Sequence, residues 1–109
     1  MLLSHFLVLG LLIFGINKPL LVGERASIIG YTDLGVESMQ WLDGSGNTII
    51  SSSYPGLAFS QLALTFNPVN ESIRNERYTC RVTSPYGVQE EIITVNVTGG
   101  LSQWHVDIL

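Results

Sequence analysis

The sequence predicts an all-β fold, a sandwich of two sheets. Three observations carry this reading. Beyond Pro19 the apolar residues recur with a period of two, the spacing that sends alternate side chains to opposite faces of a strand. Clusters of Gly, Asn, Ser and Pro punctuate these runs at short intervals. No segment shows the periodicity of an amphipathic helix over three turns. Six or seven short strands in about 80 residues fit a two-sheet sandwich.

The elements follow in order. "ERASIIGYT" is a strand with Ala26, Ile28 and Gly30 on one face, and "SMQWLD" is a second with Met39 and Trp41 on one face. "DGSGN" at 43–47 is a dense turn signal that joins the second strand to "TII". "SSSYPG" is loop. "QLALTF" alternates cleanly, with Leu62, Leu64 and Phe66 together. After the longer connection "NPVNESIRNE" comes "RYTCRVT", with Tyr78, Cys80 and Val82 on one face. "SPYG" turns the chain into "VQEEIITVNV", where Ile93, Val95 and Val97 share a face.

The 109-residue chain has room for one domain. Charged residues make up 13%, against roughly 25% in an average soluble domain. With 46% hydrophobic residues, that argues against disorder. The net charge is −4, and the five cations (Lys18, Arg25, Arg74, Arg77, Arg81) form no basic patch, which speaks against nucleic acid as a partner. The chain begins "MLLSHFLVLGLLIFGINKP". The apolar run at 6–16 is shorter than the ~20 residues a bilayer requires. It fits the core of a secretory signal peptide over 1–17, with Gly15 and Asn17 as candidate cleavage positions; the alternatives are a hydrophobic first strand and an artefact of a predicted gene start. The domain then covers 18–98. The end, "GGLSQWHVDIL" at 99–109, is a tail or truncated linker, too short and polar for a membrane span or lipid anchor. The expected location is secreted or extracellular.

Trp41, Tyr78 and Cys80 together make the chain resemble the immunoglobulin superfamily. That family carries a buried Trp on strand C and a Y-x-C on strand F, whose Tyr forms a corner two residues before the second cysteine. Tyr78-Thr79-Cys80 matches the Y-x-C. Gly23-Glu24 and the alternation that follows match the entry to strand B, "QLALTF" looks like strand E, and "SPYG" looks like the F–G turn. The resemblance covers roughly 19–98 and implies a Greek-key sandwich. Without segments for strands C′ and C″, it resembles the compact intermediate or constant types. Two departures stand out. Arg74 and Glu76 occupy positions where the family often has an aspartate and a small residue, so the E–F corner must be fixed differently. The position that should supply the first cysteine is Gly30.

Cys80 is therefore unpaired within the chain. The resemblance implies a buried thiol packed beside Trp41, and an odd cysteine in a secreted chain leaves an intermolecular disulfide as the alternative. The expected core includes Trp41, Tyr78, Cys80, Leu62 and Leu64. His5 and His105 lie in the end segments, so no base is placed beside the thiol and no catalytic role is expected. Asn70-Glu71-Ser72 and Asn96-Val97-Thr98 are N-glycosylation sequons in exposed settings. Asp43, Ser45 and Asn47 faintly imitate a calcium loop, but the twelfth position is Tyr54 rather than a carboxylate, so a hairpin turn is expected and no metal. No cofactor is implied.

The alternation also assigns an outer face. Gln40, Leu42, Thr79, Arg81, Ile92 and Thr94 should point outward on the C–F–G sheet, with Leu42 and Ile92 as exposed apolar residues around Arg81. Tyr86 in the F–G turn is a second candidate anchor. The expected function is protein–protein binding in adhesion or receptor recognition, by a monomer whose partner is another protein, including another immunoglobulin-like domain. The alternatives are a structural spacer in a longer ectodomain and an intracellular muscle-type immunoglobulin domain.

Overall fold

A computed structural model describes residues 10–32, 36–53 and 60–99. Most of the expected tail, His5, His105, Tyr54 and the first nine residues of the expected leader lie outside the described residues. The described chain is an all-β sandwich. Its strands are β1 (Leu11–Phe14), β2 (Leu20–Leu21), β3 (Ala26–Thr32), β4 (Ser38–Leu42), β5 (Thr48–Ser53), β6 (Ser60–Phe66), β7 (Arg77–Ser84), β8 (Gly87–Thr94) and β9 (Val97–Thr98). One short 3-10 turn at Glu71–Ile73 interrupts the connection from β6 to β7.

One sheet has three strands in the order β1-β3-β6, and the facing sheet has four in the order β5-β4-β7-β8. All neighbours in both are antiparallel. The chain crosses between the two sheets three times, from β3 to β4, back from β5 to β6, and again from β6 to β7. A short parallel pair, β2 with β9, ties the beginning of the domain to its end. β5 occupies six residues beside β4, so the hairpin partner is longer than "TII", and the position expected to lack strand C′ holds a strand.

β1 falls within the segment expected as a leader. It pairs in register with β3, from Leu11 opposite Thr32 to Phe14 opposite Ile29, and Leu11 is buried in the core.

The core forms between the inner faces. Ile28, Met39, Trp41, Leu62, Leu64, Tyr78, Cys80, Val82, Ile93, Val95 and Val97 are all buried. Alternation explains these positions, because within each strand they share one phase, which Val95 continues just past the end of β8. Trp41 joins the two sheets: its Nε1 donates a hydrogen bond of 2.9 Å to the Leu62 carbonyl on β6. A buried indole N–H left unpaired would be costly, so this bond fixes both ring and sheet spacing.

The end of the sandwich below β7 is fixed by Arg74. Its Nη1 donates to the Val97 carbonyl at 2.6 Å and its Nη2 to the Gly99 carbonyl at 2.9 Å, while Nε binds Glu71 at 2.7 Å. Asn75 takes a left-handed turn at φ 63°, and its amide donates to Val95, whose own amide donates to Glu76. The Tyr78 hydroxyl makes no hydrogen bond among the described residues; its ring packs edge-on against Phe66, with centroids 5.7 Å apart. The corner is thus held by an arginine fork and backbone pairing instead of a tyrosine bond.

Candidate functional site

The outer face of the four-stranded sheet is built from cross-strand rows. Gln40, Arg81 and Glu90 stand in one row across β4, β7 and β8. Leu42, Thr79 and Ile92 stand in the next, and Ser38, Thr83 and Val88 in a third. The residues expected on one face are therefore neighbours.

Their exposure differs from expectation in one case. Leu42 is only 3% exposed and is not part of an open apolar patch. The β4–β5 pairing shifts register between Trp41 and Leu42, so the strand ends in a bulge with both residues buried. Leu42 lies at a depression of about 250 Å³ between the 43–47 loop and the Arg77 and Arg81 side chains. The apolar surface that remains lies along the sheet edge and the turn above it. Tyr86 is 76% exposed, Val88 62% and Ile92 62%. Val88 is the addition, and its signal was present, because Val88, Glu90 and Ile92 alternate on one face of β8. Arg81 is half-buried and forms an ion pair with Glu90, Nε to Oε2 at 2.7 Å, so its charge is already answered.

Two turns shape the ends of this face. In Ser84–Gly87 the Ser84 hydroxyl accepts from the Tyr86 amide at 3.2 Å and donates to the Gly87 carbonyl at 3.3 Å, which holds the tip that carries Tyr86. At the other end the Asp43 carboxylate accepts from the amides of Ser45 and Asn47, both at 2.9 Å, closing the β4–β5 hairpin. Among the described residues no cluster of three or more His, Cys, Asp or Glu could hold a metal ion. No helix among them is long and apolar enough to cross a membrane.

Cys80 is fully buried and unpaired, in register with Trp41 on one side and Glu91 on the other. Burial, with a smaller contribution from the Glu91 carboxylate, pushes its thiol up to about 12. The thiolate is thereby suppressed, and with it nucleophilic and metal-binding chemistry. Burial likewise raises the Tyr78 phenol, aided by Glu76 and Asp43.

No known family model matches the chain, and no curated protein matches it. The case for its function therefore rests on the residues themselves.

The two sequons are open on the surface. Asn70 is exposed at the start of the 3-10 turn, where its Oδ1 accepts from the Ser72 amide at 3.1 Å. Asn96 is exposed between buried Val95 and Val97. Both lie away from the Tyr86 tip, toward the end held by Arg74.

Proposed function

We propose that this chain is an extracellular immunoglobulin-like domain that binds another protein through the outer face of β7 and β8 and the turn between them. The observation that carries the reading is the exposed apolar series Tyr86, Val88 and Ile92 on a regular sheet edge. Kinship with the immunoglobulin superfamily draws support from Trp41 beside Cys80 and from the strand order of the two sheets. Exposure of Asn70 and Asn96 favours a glycosylated chain in the secretory route.

The test is expression of the full chain in a secreting eukaryotic cell. The medium is examined on reducing and non-reducing gels, with and without peptide N-glycosidase, and the product is applied to intact cells. A glycosylated monomer that stains cells, and loses most of that staining in the Val88→Lys/Ile92→Lys double variant at unchanged melting temperature, is expected. An unglycosylated product confined to the cytoplasm would overturn the extracellular reading and favour the muscle-type alternative.

A spacer role has one observation of its own. The chain enters at β1, opposite the end of β3, and leaves past β9 at the other end of the sandwich, so modules could follow one another in line. On that reading the double variant leaves cell staining unchanged.

A further inference from the structure

The edge of the sandwich next to β8 is only partly covered by the chain itself. β2 pairs with β9 through Leu20 and Leu21 alone. Before that point the chain crosses to the other sheet, where β1 pairs with β3. Along its length β8 is paired on one side only, to β7. Between β1 and β8 runs a groove of about 480 Å³ whose lining includes Leu11, Ile13, Glu91, Ile92 and Ile93. Glu91 is in register with inward-facing Cys80, yet it is exposed, because the facing sheet stops short of it. It forms no ion pair among the described residues, whose salt bridges are Arg74 with Glu71 and Arg81 with Glu90.

We infer that this groove receives an extended segment of another protein, added as a strand to β8, with an apolar side chain over Leu11, Ile13 and Ile93 and a Lys or Arg against Glu91. The inference rests on reading the chain as a binding module and names a recognition mode for it. An open strand edge offers unpaired backbone donors and acceptors, a template for strand addition. A lone carboxylate beside an apolar floor selects a cation within an otherwise apolar segment. A second copy of this chain fits poorly, because antiparallel pairing of two β8 edges about Glu90 and Glu91 sets carboxylates opposite one another. The chain's own remaining segments fit poorly too. All five Lys and Arg residues lie among the described positions, so residues 1–9 and 100–109 carry neither.

The experiment is an amide NMR titration of the full chain with two probes, acetyl-Thr-Lys-Thr-Val-Thr-Val-Thr-amide, which sets its Lys and both Val on one face of a strand, and the same peptide with Glu for Lys. The lysine peptide is expected to shift and protect amides at 88–93, with smaller shifts at 11–13, and the glutamate peptide to leave them unchanged. Glu91→Gln should weaken binding roughly two- to fivefold, the range of one exposed ion pair. Glu24→Gln, a charge at the far end of the domain, should leave it unchanged. Absence of binding, shifts centred elsewhere, or equal loss in both variants would overturn the inference. So would concentration-dependent shifts at 88–93 without peptide, which would place a second copy on the edge. The secretion and cell-staining result is independent: its failure removes the extracellular reading without touching the titration, and a silent titration leaves the β7–β8 face standing.

Discussion

A β-carbon placed on Gly30 would lie 2.5 Å from the Cys80 Sγ and 3.7 Å from the Cys80 Cβ. The second distance is within the ~3.5–4.5 Å span of bonded half-cystines. The first is a clash that the thiol can relieve only by rotating. Gly30→Cys should therefore oxidise to a 30–80 disulfide. Closing a loop of about 50 residues is worth roughly 4 kcal/mol on the chain-entropy estimate. The expected result is a melting temperature higher by roughly 15–30 °C, reversed by reductant. Gly30→Ala creates the same contact without a bond to form, so it should lose roughly 1–3 kcal/mol. Adding Cys80→Ala should restore most of that loss, which a double-mutant cycle measures.

The buried thiol gives stability a pH dependence with a definite sign. Its folded value, about 12, lies above the ordinary value of 9.0. The proton is therefore held more tightly in the native state. The associated stability is fully present below about pH 9 and is lost as pH rises from there toward 12. Denaturant midpoints measured across pH 7–11 should fall more steeply in the native sequence than in Cys80→Ala. At pH 8 the thiol should be unreactive toward a disulfide reagent until denaturant is added. A rapid reaction of the native protein would contradict the inward placement of β7.

Arg74 should be irreplaceable by lysine. Its fork holds two carbonyls and one carboxylate at once, a geometry a single ammonium cannot reproduce. Both Arg74→Lys and Arg74→Met should lower the melting temperature, and to a similar degree. The Leu20 and Val22 amides, which bond to the Asn96 and Thr98 carbonyls, should then exchange faster. The Arg74 hydrogen bond also holds the Glu71 carboxyl below its ordinary range. That contribution is present at neutral pH and lost as pH falls through the lowered value. Because the pair is exposed, it should be small and sensitive to salt.

Removing β1 should unmake part of the core. A chain beginning at Asn17 lacks Leu11 and Ile13, which pack in or against the core, and leaves β3 unpaired along one edge. It should melt well below the full chain and bind a hydrophobic dye. N-terminal sequencing of secreted material bears on the same point. A mature chain that keeps Leu11–Phe14 retains this strand, whereas one cut at Gly15 or Asn17 should show the lower melting temperature.

Trp41→Phe removes a side-chain bond between the two sheets, to the Leu62 carbonyl, and leaves a small void. The expected cost is roughly 2–4 kcal/mol by chemical denaturation. A loss under 1 kcal/mol would mean that packing alone sets the sheet spacing.

Much of the architecture was legible because strand alternation is a local signal. "RYTCRV" is sufficient to place Tyr78, Cys80 and Val82 on one face, and "QLALTF" does the same for Leu62 and Leu64. Other features were not legible, because they depend on contacts distant in sequence. Leu42 obeys the alternation, but a register shift beside it and the arginine side chains around it remove it from solvent. Val69 sits in a segment without periodicity and is buried because its amide bonds Glu24 and its carbonyl accepts from Gly23. Arg74 could be recognised as a departure from a familiar pattern, but its carbonyl partners lie over twenty residues away. The candidate face was readable in position and misjudged in shape. Arg81 does not stand at the centre of an apolar ring, since Glu90 neutralises it and the apolar residues lie along β8.

The pairing of β2 with β9 has a mechanical consequence. The strands run parallel, so the chain's approach to β2 and its exit from β9 lie at opposite ends of the pair. A force drawing the ends of the chain apart would act along the strand axes, so the bonds from Leu20 to Asn96 and from Val22 to Thr98 would be loaded side by side rather than peeled one after another. The hold of Arg74 on Val97 and Gly99 lies beside them in the same load path. Resistance to stretching would therefore be concentrated in a few polar contacts at one end, with the hydrophobic interior yielding only after they part.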